Sequence, residues 1–116
     1  MTLDEAKAIA RKMVDENTAI LIVTNPMTFD GNNFSMSLQA QINWLGIQQT
    51  PDNYFPYNIK TTANTFYSLT ASNKLAFFLT AVATKNAWLQ SGNNLIDQID
   101  ALTTVDECLN FDDPRI

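Results

Sequence analysis

The stretch that decides the fold runs from Thr70 to Leu102 and reads TASNKLAFFLTAVATKNAWLQSGNNLIDQIDAL. Its apolar residues recur every seven positions in two neighbouring rows, which are Leu75, Val82, Leu89 and Ile96, and Ala81, Trp88, Leu95 and Leu102. Phe78 and Ile99 lie in a third row. Three adjacent positions in seven make a stripe wide enough for a core-facing helix. The sequence therefore predicts one long helix, N-capped by Thr70, with Trp88 and Leu89 in the core.

One segment of this helix has poor helix propensity. Ser91, Gly92, Asn93 and Asn94 follow one another directly. Because each of these residues disfavours the helical conformation, a kink or a break is expected there.

Shorter helices are predicted before and after the long one. The pairs Thr2–Glu5 and Thr104–Glu107 fit capping boxes, in which each terminal residue satisfies a backbone N–H of the other. After Thr2, apolar residues recur at helical spacing and predict a helix over residues 2–17. Another helix is expected to begin at Ser37 and to end near Gly46.

The remaining segments favour β-structure. Asp30-Gly31-Asn32 lies between apolar residues and predicts a hairpin, because Asp-Gly tolerates the positive φ of a tight turn. A second hairpin is expected around residues 61–64. The apolar run from Ala19 to Thr24 is consistent with a buried strand or with a last helical turn. The predicted fold is a single α+β domain over residues 1–116, with a long C-terminal helix, two or three further helices and two short β-hairpins.

Composition bounds the function. The chain is 46% hydrophobic but only 16% charged, with a net charge of −5. Since typical domains carry about 25% charged residues, this surface suits a subunit that lies against other protein. No basic cluster exceeds Arg11-Lys12, so no nucleic-acid partner is expected. The longest mostly apolar run, Leu75 to Ala83, is shorter than the ~20 residues of a membrane span.

The residues that usually carry catalysis are scarce. The chain has no histidine and one cysteine, Cys108, so it lacks the commonest general base and a cysteine zinc site. Its three glycines form no phosphate-binding loop. We therefore expect no enzymatic activity, no cofactor, no metal site and no small-molecule ligand.

Seven residues are candidates for contact with partners. Leu3, Ile9 and Met13 belong to the apolar stripe of the N-terminal helix, which either packs on its own domain or serves as an assembly helix. The other candidates are aromatic: Trp44, Tyr54, Phe55 and Tyr57. They either cover the core or stack on a sugar or a partner protein.

The second half resembles an uncharacterised domain family found in bacteriophage tail-fibre and baseplate proteins. The segments that carry the resemblance are Ile59 to Asn64, Phe66 to Thr70, the long helix, and Ile99 to Glu107. Phe29 to Ser35 is similar to the family's first hairpin, so the resemblance spans residues 1–111. The family usually has a tryptophan before the turn, where this chain has Ile59.

The resemblance implies a non-enzymatic structural or adaptor component of a phage tail, fibre or baseplate that acts through protein–protein contacts. Its partners would be other virion proteins and copies of itself. Its location would be the virion, and the host cytoplasm during assembly. Two alternatives stay open: a receptor- or glycan-binding tip module that uses the aromatic candidates, and a fibre-assembly chaperone that is not retained in the virion.

Overall fold

A computed structural model describes all residues from Met1 to Ile116 and confirms the α+β prediction. The helices are α1 (Leu3–Thr24), α2 (Leu38–Gln48), α3 (Lys74–Asp100) and α4 (Val105–Leu109), with a 3₁₀ turn at Asp52–Tyr54. The strands are β1 (Met27–Phe29), β2 (Asn32–Phe34), β3 (Tyr57–Lys60) and β4 (Phe66–Leu69). They form two antiparallel pairs, β1–β2 and β3–β4.

Two compact units make up the chain. Unit 1 consists of Met1–Leu21 and Ala87–Ile116, and unit 2 consists of Ile22–Asn86. Helices α1 and α3 contribute residues to both units.

Unit 1 has a small aliphatic core. Ala10 and Val14 of α1 are buried with Leu95 and Ile99 of α3. The Thr2–Glu5 capping box is confirmed, because each backbone N–H is bonded to the other residue's side chain, at 3.2 and 3.1 Å. Thr104 also caps α4, since its hydroxyl accepts from the Glu107 N–H at 3.2 Å.

Helix α1 is longer than the predicted range of 2–17. Residues 20–23 form its last turns, so the strand interpretation of this run is wrong and the helical one holds. A short apolar run has no periodicity that separates the two structures. Extending an existing helix also requires no new nucleation step.

Helix α3 is continuous from Lys74 to Asp100, so the predicted break at residues 91–94 is wrong. Gly92 is buried, and a Cβ built there would lie 2.6 Å from Thr18 Oγ1. This glycine therefore allows close packing within unit 1. The helix also begins later than expected: Thr70 accepts from the Asn73 N–H at 3.3 Å in the turn that precedes Lys74.

The inward face of α3 is narrower than predicted. Ala81 and Trp88 are half-buried and Leu95 is buried, so this row faces inward. The row of Leu75, Val82 and Leu89 is exposed, and Leu89 retains 42% exposure. The prediction that Leu89 lies in the core is therefore wrong, and Trp88 is covered only in part.

Unit 2 has an aromatic core built on the two hairpins. The β1–β2 turn confirms the Asp-Gly prediction, since Asp30 and Gly31 have φ values of 50° and 74°. The second predicted hairpin is confirmed by the β3–β4 pairing of Tyr57 with Leu69. At the centre, the Phe77 ring makes edge contacts at 5.1–5.4 Å between centroids with Phe29, Phe34, Trp44 and Phe78.

Candidate interaction surfaces

The three candidates on α1 do not share one exposed face. Leu3 is half-buried, and Met13 packs against the unit 1 core. Ile9 remains 50% exposed. Three other apolar residues of α1, Ala6, Ala10 and Val14, are buried. Unit 1 therefore uses most of the predicted assembly stripe for its own packing.

The aromatic candidates are also divided between core and surface. Trp44 is 7% exposed and packs on Phe77, so the indole belongs to the core. Phe55 packs against the same core, with Lys74 Nζ 4.9 Å from its ring centroid. Tyr54 and Tyr57 are exposed. The four side chains do not form one continuous stacking platform.

Unit 2 instead exposes an apolar groove between α2 and α3. Its exposed walls are Leu38, Ile42 and Leu45 of α2 and Val82 of α3, which retain 51–67% exposure. Trp44 and Phe78 also line it, and its volume is about 320 Å³. We call it the α2–α3 groove. Two further exposed leucines of α3 precede Val82: Leu79 by about one helical turn and Leu75 by about two.

The α2–α3 groove could have been found in the sequence. Leu38, Ile42 and Leu45 are spaced i, i+4 and i+7, which places them on one helical face. Trp44 and Ile47 occupy another face of α2 and are buried in the core. A helix that is apolar on two faces indicates a second packing partner, in addition to the core of its own unit.

Charge is distributed unequally between the units. Unit 1 contains ten acidic and four basic residues, for a net charge of −6. Unit 2 contains two acidic and three basic residues, for a net charge of +1. Only Lys85 is charged among the residues that line the α2–α3 groove. Depletion of charge around an exposed apolar surface is typical of the centre of a protein interface.

The C-terminal residues of unit 1 carry a buried ion pair, which we call the clasp. Arg115 Nη2 lies 2.6 Å from Asp113 Oδ2, and the two side chains are 9% and 2% exposed. Arg115 also donates to Ser91 Oγ at 3.1 Å and to the Val14 carbonyl at 3.2 Å. The Arg115 hydrogen bonds hold the pKa of Asp113 at about 2, below its ordinary value of 3.8. The clasp therefore attaches the chain end to both α1 and α3.

A polar network joins the hairpins of unit 2. The Tyr67 hydroxyl donates to Asp30 Oδ2 at 2.9 Å and accepts from Asn73 Nδ2 at 2.9 Å. Burial, followed by the neighbouring Asp30 carboxylate, raises the pKa of Tyr67. Each of these groups is satisfied by another, so the network positions the hairpins.

The structure lacks two further kinds of feature. It contains no cluster of three or more histidine, cysteine or acidic side chains that could hold a metal ion. None of its helices combines the length and the apolar character of a membrane span. Cys108 is a buried free thiol. The α2–α3 groove, the exposed Tyr54 and Tyr57 and the exposed Ile9 of α1 remain as candidate contact surfaces.

Comparisons with known proteins returned nothing similar: no protein-family model, no curated protein and no solved structure matches this chain.

Proposed function

We propose that this chain is a non-enzymatic structural or adaptor component of a phage tail, fibre or baseplate, and that it acts through protein–protein contacts. The observation that carries the proposal is the α2–α3 groove. Unit 2 carries little charge, and it exposes neighbouring apolar side chains here. They are the four wall residues of the groove and, beside them on α3, Leu75 and Leu79. Contiguous exposed apolar surface marks an interaction site. The assignment to a virion is supported by the sequence resemblance alone.

The occupant proposed for the α2–α3 groove is a second copy of this chain. A self-complementary interface brings the same surface of two copies together, so like charges on that surface would oppose it. No acidic residue lines this groove, and Lys85 is the last of its lining residues along α3. In a twofold arrangement with antiparallel helices, the two Lys85 side chains would lie at opposite ends.

Sedimentation of purified protein tests the interface. Wild type is expected to sediment as a dimer or a larger assembly, and Ile42→Glu with Val82→Glu as a monomer. The matched control is Ile9→Glu with Leu109→Glu, because these residues of unit 1 are 50% and 49% exposed. A monomeric wild type would refute the interface. So would dissociation by the control pair but not by the groove pair, which would move the contact to α1 and α4.

Mass spectrometry of purified virions tests the biological assignment. Detection of the chain in stoichiometric amounts beside other tail proteins is the expected result. Its presence in the lysate of infected cells but not in virions would favour the fibre-assembly chaperone instead.

A further inference from the structure

A second groove in unit 2 runs between β3 and α2, and we call it the β3 groove. Its volume is about 480 Å³, within the ~300–1,000 Å³ of typical binding clefts. Residues 57–62 line it together with Asn43, Trp44 and Ile47 of α2. We propose that an extended peptide segment of a partner protein binds here and adds a strand to the free edge of β3.

The backbone of β3 leaves the required groups unpaired. The Thr61 N–H donates to the Thr65 carbonyl at 2.8 Å, so Thr61 faces β4. Since antiparallel pairs alternate, Ile59 also faces β4, while Asn58 and Lys60 direct their N–H and C=O groups away from it. These outward groups make no other hydrogen bond in the chain. An unpaired strand edge is a template for an added strand.

The next outward residue shows how this edge pairs. The Thr62 N–H donates to the Asn33 carbonyl of β2 at 2.9 Å. The chain therefore already uses the same edge of this hairpin for a backbone contact with another strand. The unused part lies immediately before it, at Lys60 and Asn58.

The lining of the β3 groove specifies the chemistry of the peptide. Ile59 is buried in one core with Trp44 and Ile47. Side chains alternate along a strand, so the added strand would direct apolar residues to this face. Lys60 lies on the other face; it is the only charged residue lining the groove and forms no ion pair. A carboxylate opposite Lys60 would make a favourable cross-strand pair. The expected ligand alternates apolar and polar residues and carries one such carboxylate.

A second copy of β3 does not meet this requirement. Its sequence, Tyr57-Asn58-Ile59-Lys60, contains no acidic residue, so self-pairing would leave both Lys60 side chains without a carboxylate. Lysine on an edge strand is also a common means of preventing self-pairing. The β3 groove therefore differs in its partner from the α2–α3 groove, and its ligand does not depend on the proposed self-association.

Peptide selection tests this proposal. A displayed library of random peptides of about nine residues, long enough to form a strand, is selected for binding to purified full-length protein. Enriched peptides should alternate apolar and polar residues and contain Asp or Glu. Asn58→Pro removes an outward N–H and should weaken their binding at least about tenfold, measured by fluorescence anisotropy. Ser68→Pro is the matched control, because Ser68 pairs with Asn58 and faces the opposite edge of the same sheet. It should bind as wild type does.

Amide hydrogen exchange on wild-type protein provides a readout that needs no variant. A selected peptide should slow exchange at Asn58 and Lys60 and leave Phe66 and Ser68 unchanged. The proposal is overturned if no peptide is enriched, if selected peptides bind Asn58→Pro as well as Ser68→Pro, or if these amides gain no protection. Binding on a glycan array that is lost in Tyr57→Ala but kept in Asn58→Pro would also overturn it, in favour of a sugar site. Sedimentation of the protein does not enter this test, so failure here leaves the dimer proposal intact.

Discussion

Unit 1 and unit 2 differ in what fills their interiors and in what they leave exposed. Unit 1 has a small core of mainly aliphatic side chains, carries a net charge of −6 and ends in a buried ion pair. Unit 2 packs aromatic rings, carries a net charge of +1 and exposes two grooves. Unit 1 therefore uses polar groups in internal contacts, at the clasp above all, while unit 2 leaves apolar side chains and backbone groups of β3 without a partner in the chain.

The largest expected effect concerns the aromatic core of unit 2. Phe77 is fully buried at its centre. Phe77→Ala should lower the free energy of unfolding by roughly 3–5 kcal/mol, because it removes a large apolar side chain and leaves a cavity. Urea unfolding measures the change. The control is Phe66→Ala, at a phenylalanine that is 71% exposed, where the change should stay within about 0.5 kcal/mol. Equal losses at the two sites would show that Phe77 is not the centre of the core.

Local signals in the sequence were read correctly where a few neighbouring residues determine the structure. The Thr2 capping box, the Thr104 N-cap and the Asp30-Gly31 turn form as predicted, because their hydrogen bonds and φ values depend on adjacent residues. The predictions that failed concern residues whose structure depends on contacts with residues far away in the sequence. Gly92 was read as a helix breaker, although its lack of a side chain is needed for packing beside Thr18.

The candidate surfaces were predicted less well than the fold. The rows that begin with Leu75 and with Ala81 are equally apolar, and the sequence alone does not say which row faces inward. The sequence left Trp44 open between the core and a partner contact, and its contact with Phe77 places it in the core. The β3 groove depends on which backbone groups remain unpaired after folding. The pattern of side chains in the sequence does not show which backbone groups will stay unpaired.

The second effect concerns the clasp of unit 1. Arg115→Met leaves the Asp113 carboxylate, which is 2% exposed, without its cation. Breaking a buried pair in this way should cost about 3 kcal/mol of unfolding free energy. Replacing both partners, Asp113→Leu with Arg115→Met, should cost less, because no uncompensated charge remains. A thermodynamic cycle from urea unfolding measures the coupling. A double variant no more stable than Arg115→Met would show that the uncompensated Asp113 carboxylate is not the cause of the loss.

A smaller effect should appear on acidification. The pKa of Asp113 is depressed in the folded state, from 3.8 to about 2. Its contribution to stability is therefore complete above about pH 5 and lost as the pH falls towards 2, and it amounts to about 2 kcal/mol. Other carboxylates titrate in this range, so the free energy of unfolding is compared between wild type and Arg115→Met at each pH. This difference should shrink on acidification. A difference that stays constant with pH would mean that Arg115 stabilises the protein whether or not Asp113 is ionised.

The smallest effect compares one substitution in both units. Gly46 in α2 has nothing within 4 Å of an added Cβ. Gly46→Ala should therefore stabilise unit 2 by up to about 1 kcal/mol through helix propensity. Gly92→Ala gains the same propensity, but its Cβ would meet Thr18 Oγ1 at 2.6 Å. That hydroxyl donates to the Val14 carbonyl at 2.8 Å, so moving it also breaks a buried hydrogen bond. Overpacking typically costs about 1–3 kcal/mol, so Gly92→Ala should destabilise the protein by about 1 kcal/mol.

Removing the obstructing hydroxyl distinguishes overpacking from any other effect at Gly92. Thr18→Ala takes away Oγ1, the atom that a Cβ at Gly92 would meet at 2.6 Å. If the clash is the cause, Thr18→Ala with Gly92→Ala should be more stable than the sum of the two single changes predicts, because the single-site costs share one contact. Urea unfolding of the four proteins gives the coupling. Strict additivity, or a Gly92→Ala variant stabilised as much as Gly46→Ala, would mean that α1 and α3 separate easily at this contact. The close packing of unit 1 would then not be what requires a glycine.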